Sequence, residues 1–382
     1  MMKIVYCIPS LAVVGGGQRV LAIKANYFVE HFGYKIYIVT TDDKGKKPCF
    51  ELHPSIEICD LNINYDEQIP LYKRFFVYFY KRNLHRKRLN KYLNEVRPDL
   101  TILMLRRELD FIMKMTDGSI KIAENHLEKN NYLNGANPHL LRYIPHFLWK
   151  KWQRNTISNL KEIAKFVVLT NEDKDRWTEL DNVVAIPNML TVTPTTRSSC
   201  SSKLVIAVGR HVWEKGFDLL ISAWGKVHRL HPDWILKIYG DGPLREDLQR
   251  KISDEGVTTS CFLEYPTRSI VEKYAESSIF VLSSHSEGFP LVLIEAMLCG
   301  LPAVAFACPC GPKDIIADHK DGILVKAGDV DDLVKQISYL IENDEERIEM
   351  GNSASLNIQR YDIGNVSLLW KELFENLMLN RK

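Results

Sequence analysis

Two series of short apolar runs, each alternating with helical spacing, constrain the fold of this chain more than any other feature. In the first half, residues 3–9, 34–41, 100–105, 121–124 and 166–170 have the length and apolar content of strands. Their rhythm predicts a parallel sheet, in which strands are buried on both faces and so stay apolar throughout. A stretch rich in Thr, Ser and Pro, residues 187–202, breaks the pattern. A second series then begins at 203–209, with strands expected at 234–240 and 279–283 and with Leu220, Ala223, Trp224 and Val227 on one helical face. The reading is an α/β protein of two Rossmann-like doubly wound domains, at 1–190 and 203–362, joined by a linker at 191–202. A chain of 382 residues exceeds what one hydrophobic core usually supports, which agrees. After Asp362, the residues Val366, Leu369, Trp370, Leu373, Phe374 and Leu377 follow helical spacing, so residues 363–382 form a closing helix expected to pack back on the N-terminal domain. Two such sheets facing each other would bring the carboxyl ends of their strands around a shared cleft, where ligands of open α/β sheets bind.

The apolar share of 46% and charged share of 26% describe a globular chain, neither disordered nor membrane-spanning. Residues 4–14 could suggest a signal peptide, but Pro9 and Gly15-Gly16-Gly17 interrupt them and they fit a first strand better. Residues 291–308 are apolar, yet contain Glu295, Gly300 and Pro302, which oppose a membrane span. The eight cysteines form no C-x-x-C pair and fit buried thiols of a reducing, cytoplasmic compartment. Charge is uneven: 29 Lys/Arg against 21 Asp/Glu through Thr196, and 21 against 27 beyond it. A basic first half suits an anionic partner, such as a phospholipid surface or a lipid-linked phosphate. Within it, residues 71–92 hold eight Lys/Arg and no acid, interleaved with Tyr72, Phe75, Phe76, Tyr78, Phe79 and Tyr80. This is either a helix for the inner membrane surface or one with an apolar core face and a solvated basic face. Residues 140–154 repeat the theme weakly. No recognised nucleic-acid module accompanies the charge.

Chemistry concentrates in residues 286–300. Pro290 suits a first helical position and Gly300 a helix stop, placing Glu287 in the preceding loop and Glu295 inside an otherwise apolar helix. An unpaired buried carboxylate is costly, so Glu295 needs a partner: a ribose diol offers two hydroxyl donors, and a nearby Arg or Lys would serve equally. The helix start around Gly288, Phe289, Pro290 and Leu291 exposes free N–H groups to donor oxygens. A second segment, residues 208–216, ends a strand and carries Arg210 and Lys215, which either neutralise a diphosphate or are solvated turn residues. Gly15-Gly16-Gly17 follows the first strand and either admits a phosphate or sugar close to the backbone or is a structural turn. Asp173-Lys174-Asp175 has the D-x-D spacing of metal-dependent sugar transfer, but its helical context argues against a metal role.

In combination, the glutamates Glu287 and Glu295, the Gly209-Arg210-x4-Lys215-Gly216 turn, residues 239–244 and Pro187-Asn188 resemble the family-four retaining glycosyltransferases of GT-B fold, among them bacterial capsular, O-antigen and lipopolysaccharide enzymes. The resemblance implies that Arg210 and Lys215 hold the diphosphate of a nucleotide sugar, that Glu295 holds its ribose, and that Glu287 faces its sugar. Gly16 and Gly17 would cover the phosphates. It also implies a histidine near the transferred sugar, a placement His126 matches at the end of the strand 121–124; a lone histidine can equally be structural. The base would meet the loop Glu264-Tyr265-Pro266, where many relatives carry glycine. The expected activity is retaining transfer of a hexosyl or N-acetylhexosaminyl group from a UDP-sugar to a lipid-linked or growing saccharide, with no metal or other cofactor. Two alternatives stand beside it: a non-catalytic sugar-nucleotide-binding subunit, and a phosphorylase or epimerase of the same fold. No G-x-S-x-G elbow supports a hydrolase.

Overall fold

The computed structural model describes residues 1–67, 70–104, 107–134 and 146–380, with 71–75 described by backbone alone. Leu105 and residues 140–145, along with the side chains of Tyr72 and Phe75, lie outside that description. The chain forms two compact units, one from Met1–Leu169, Asp173–Met189 and Ile363–Lys382, the other from Thr170–Glu172 and Leu190–Asp362.

The first unit is built on β1 (Lys3–Cys7), β2 (Lys35–Thr40), β3 (Glu57–Asp60), β4 (Leu100–Met104), β5 (Ile120–Glu124), β6 (Lys165–Val168) and β7 (Val183–Ala185). They form one seven-stranded sheet in the order β3-β2-β1-β4-β5-β6-β7, every pair parallel. The order reverses between β1 and β4, the switch point at which loops of a doubly wound sheet diverge and leave room for a ligand. Helices α1 (Gly16–Phe32), α2 (Leu71–Val96), α3 (Lys129–Asn134), α4 (His146–Glu162) and α5 (Asn171–Arg176) are interleaved with the strands. The edge strands β3 and β7 escaped the sequence reading because β3 is polar and half exposed, and β7 is only three residues long.

The second unit repeats the plan with β8 (Leu204–Val208), β9 (Ile235–Tyr239), β10 (Cys261–Glu264), β11 (Ile279–Leu282), β12 (Ala303–Phe306) and β13 (Gly322–Val325), in the parallel order β10-β9-β8-β11-β12-β13. Its helices are α6 (Phe217–Leu230), α7 (Arg245–Asp254), α8 (Ile270–Ala275), α9 (Leu291–Leu298), α10 (Pro312–Ile315), α11 (Val330–Glu342) and α12 (Asp344–Asn357). The face predicted for α6 is its core face: Leu220, Ala223, Trp224 and Val227 are fully buried against β8 and β9 side chains. The apolar run 291–308 is thus a helix and a strand of this unit, with Gly300 (φ 85°) turning the chain between them.

The closing helix α13 (Ile363–Leu379) belongs to the first unit, where Val366, Trp370 and Phe374 enter the core beside Leu21, Ala25 and Phe28 of α1. Leu369, expected on the same face, is instead 44% exposed. Of the eight cysteines Cys49 is exposed and Cys59 half-buried, against the expectation of burial; all eight are free thiols. Because Trp370 fills a site with no solvent access, Trp370→Ala is expected to cost about 3–5 kcal/mol. Urea unfolding measures it, and a loss below about 1 kcal/mol would show that α13 is not part of this core.

Candidate functional site

In the second unit, β8 ends in a turn that only glycine can complete. Gly216 sits at φ 59°, and a Cβ there would stand 2.2 Å from the Ser283 carbonyl oxygen, so the turn lies directly on the end of β11. The Ser283 hydroxyl donates to the Lys215 carbonyl at 2.9 Å, and the Lys215 ammonium donates to Glu287 Oε1 at 2.6 Å. Ser284 donates to the same oxygen at 2.6 Å. The cation and the loop acid singled out separately in the sequence are therefore one ion pair. Arg210 stands exposed, with no ion pair among the described residues.

Beyond Glu287 the chain enters α9, and Gly311 (φ 110°) lets a second loop press on its start: a Cβ there would lie 2.4 Å from Pro290 Cδ. The Phe289 side chain is buried edge-on against Tyr361, with ring centres 5.3 Å apart, so it packs rather than projects. Glu295 is buried and accepts from the Thr191 hydroxyl at 2.6 Å. That oxygen is satisfied by a neutral donor from the linker, a partner the sequence reading did not include. Just past β10 Tyr265 is exposed, and the Arg245 guanidinium lies 3.9 Å from its ring centre while donating to Gly240 and Leu263 carbonyls. Arg245 directly follows the quoted motif 239–244, and its adjacency to a turn was the available signal. Trp213, 64% exposed, stacks on His285 at 4.4 Å, also unanticipated.

In the first unit, Gly16 and Gly17 open α1 behind an extended Gly15, with no side-chain cap and no acid in the first turn. A Cβ at Gly17 would meet no atom within 4 Å. His126 follows β5, and its Nε2 lies 3.2 Å from Glu124 Oε1. Glu124 is buried and pairs with the buried Lys24 through both oxygens, at 2.7 and 2.6 Å. Burial acts to raise the Glu124 carboxyl, but the Lys24 charge and His126 overcome it and hold it down at about 2. Asp173, of the D-x-D spacing, accepts from the Lys129 backbone N–H at 3.0 Å and from the Trp177 indole at 3.3 Å, a structural use.

The basic helix α2 has a core face and a solvent-exposed face. His85, Leu89 and Leu93 face the core, while Phe76, Tyr78, Phe79, Tyr80, Arg86 and Lys87 are exposed. Lys81 is buried and paired with Glu67 at 2.7 Å. Among the described residues no helix is long and apolar enough to cross a membrane.

Two parallel, doubly wound units of this order define a GT-B α/β protein. Residues 196–356 match the family described as glycosyl transferases group 1. An uncharacterized glycosyltransferase of Haemophilus influenzae is 29% identical over 97% of this chain and 99% of that protein. The amylovoran biosynthesis glycosyltransferase AmsD of Erwinia amylovora is 32% identical over 55% of this chain and 61% of that protein. The structure of a mutant of S. aureus TarM in complex with Fondaparinux, alpha-GlcNAc-glycerol and UDP superposes with a TM-score of 0.76 at 18% identity, covering 98% of this chain and all of that one.

Three outcomes follow for variants. Gly216→Ala is expected to destabilise by more than about 1 kcal/mol, because the turn must leave the Ser283 carbonyl, whereas Gly17→Ala leaves the thermal midpoint within a degree or so. An unchanged midpoint for Gly216→Ala would contradict the close approach. Glu108, behind β4, is buried and pushed by that burial up to about 7. A raised carboxyl pKa means the native state holds a proton the unfolded state has lost, so stability falls as pH rises from 4.5 toward 7. Glu108→Gln should remove that loss, about 3 kcal/mol, and flatten denaturant midpoints measured between those pH values.

Proposed function

We infer that this chain is a retaining transferase that moves a hexosyl or N-acetylhexosaminyl group from a UDP-sugar to a saccharide acceptor in the assembly of a cell-surface polysaccharide. The observation that carries the reading is the Lys215–Glu287 pair at the carboxyl edge of the second sheet, set between the exposed Arg210 turn and the start of α9. A departing nucleoside diphosphate develops negative charge that a lysine, an arginine and helix-start N–H groups stabilise without a metal. Glu287 fixes the Lys215 ammonium through Oε1, which leaves Oε2 as the acceptor for a sugar hydroxyl. Glu295, held by Thr191, offers its carboxylate to a ribose, and Tyr265 with Arg245 offers a flat cationic surface to a base. Gly16 and Gly17 supply backbone close to the phosphates. TarM binds UDP in the solved complex, which supports uridine as the base; AmsD and its role in amylovoran biosynthesis support the polysaccharide context.

In the reaction, the bond between the anomeric carbon and the diphosphate oxygen breaks, and the acceptor oxygen bonds to the same face of that carbon. The departing phosphate takes the acceptor proton, so no protein base is required, and His126 orients the sugar. The acceptor is lipid-linked, and the exposed rings and cations of α2 hold the enzyme at the anionic inner surface of the membrane.

Thermal unfolding with added UDP tests the core of this reading. At 100 times the dissociation constant a ligand adds about 2.7 kcal/mol, so the midpoint should rise with UDP and stay unmoved in Lys215→Met. Failure of every nucleoside diphosphate to raise it would remove the proposal. Glu287→Gln should retain UDP binding and lose at least about tenfold in turnover; full turnover would return the choice to a binding subunit. Separately, Arg86→Glu with Lys87→Glu should weaken sedimentation with phosphatidylserine vesicles, at about 1 kcal/mol per charge, and unchanged binding would refute the membrane assignment.

A further inference from the structure

A fully buried ion pair is rarely worth its desolvation: replacing both partners by apolar side chains of similar volume is often neutral or stabilising. Lys24 and Glu124 form such a pair, with 0% and 1% side-chain exposure, in the middle of the first unit. Stability alone does not account for it, and its surroundings are organised around one end. The Lys24 ammonium lies 4.1 Å from the Trp370 ring centre and 5.3 Å from that of Tyr6, so α13 and β1 box it in from two directions. Both Glu124 oxygens accept from it, and Oε1 also faces His126 Nε2 at 3.2 Å. The backbone beside His126 is fixed independently. The Asn125 N–H donates to the Val167 carbonyl at 2.8 Å, and the Asn125 side chain both accepts from the Leu127 N–H at 2.9 Å and donates to the Leu127 carbonyl.

We propose that Lys24 is a positioning residue for sugar transfer: it pins the Glu124 carboxylate, that carboxylate accepts the Nε2–H of His126, and the ring thereby presents Nδ1, unprotonated, as the acceptor for a hydroxyl of the bound sugar. This rests on the reading of His126 as the residue that orients the sugar. The order of contacts runs from Trp370 through Lys24 and Glu124 to His126, so the closing helix supports the site although it touches no ligand in this scheme. A neutral imidazole with one fixed tautomer has a single acceptor, and a single acceptor orients a hydroxyl where a mixture of tautomers does not.

The test uses the full chain and two variants, Lys24→Met/Glu124→Leu and His126→Ala. The double variant removes both charges together and so is expected to fold, which a single Lys24→Met, leaving a bare buried carboxylate, need not do. Long-range proton–nitrogen NMR of the histidine rings, with the His126 signal assigned by its loss in His126→Ala, reads the tautomer directly. In the wild type His126 should carry its proton on Nε2, and in the double variant that preference should disappear. A wild-type ring protonated on Nδ1, or a tautomer unaffected by the double variant, overturns the proposal. Turnover of UDP-glucose and UDP-N-acetylglucosamine supplies the second readout: the double variant should lose at least about tenfold in kcat with donor KM unchanged, as expected for an interaction made in the transition state. A folded double variant with full kcat would reduce the pair to a structural role and overturn the proposal. If His126→Ala itself keeps full activity, the reading of His126 fails, and the tautomer result still decides whether Lys24 and Glu124 set the ring.

Discussion

A parallel sheet covered on both faces by helices can expose its strands only at their ends, and that constraint governs where this protein can do chemistry. Backbone groups along β1, β4, β8 and β11 are paired to neighbours on both sides. Side chains above and below are committed to the cores. Everything left to bind a ligand must come from the loops at the carboxyl ends and from the helix starts that follow them. His126 after β5, the Arg210–Gly216 turn after β8, Tyr265 after β10 and Glu287 after β11 all occupy such positions.

Within the second unit the same edge is stiffened by contacts too close for any side chain. The Gly216 turn rests on the Ser283 carbonyl and Gly311 rests on Pro290, so the loop carrying Lys215, the loop carrying Glu287 and the start of α9 are mutually registered through backbone. The Lys215–Glu287 pair is then a consequence of that registration, formed by two side chains that have little freedom to be elsewhere. Such preorganisation is what electrostatic stabilisation of a leaving group requires, because the charges need not rearrange when the bond breaks.

The strand–helix rhythm was legible because buried parallel strands are uniformly apolar, and the amphipathic faces of α6 and α13 were legible because helical period leaves a stripe. The residues of the second unit's edge were legible as a combination of motifs. What stayed hidden were partners distant in sequence. Thr191 is 104 positions from Glu295 and Lys24 is 100 from Glu124, and nothing in either local stretch announces the other. Phe289 was placed correctly in a helix start, but periodicity could not reveal that its ring turns toward Tyr361. Leu369 sat on the apolar stripe of α13 and still faces solvent, because the stripe is wider than the contact it makes.

The first unit is discontinuous: its core is completed by Ile363–Lys382, which the ribosome makes after the whole of the second unit. Domains otherwise tend to fold in order of synthesis. Here the earlier one must wait, with the pocket that receives Trp370 and Phe374 uncovered, until those residues have been made. A message truncated between Asp362 and Trp370 would yield a finished second unit attached to an unfinished first.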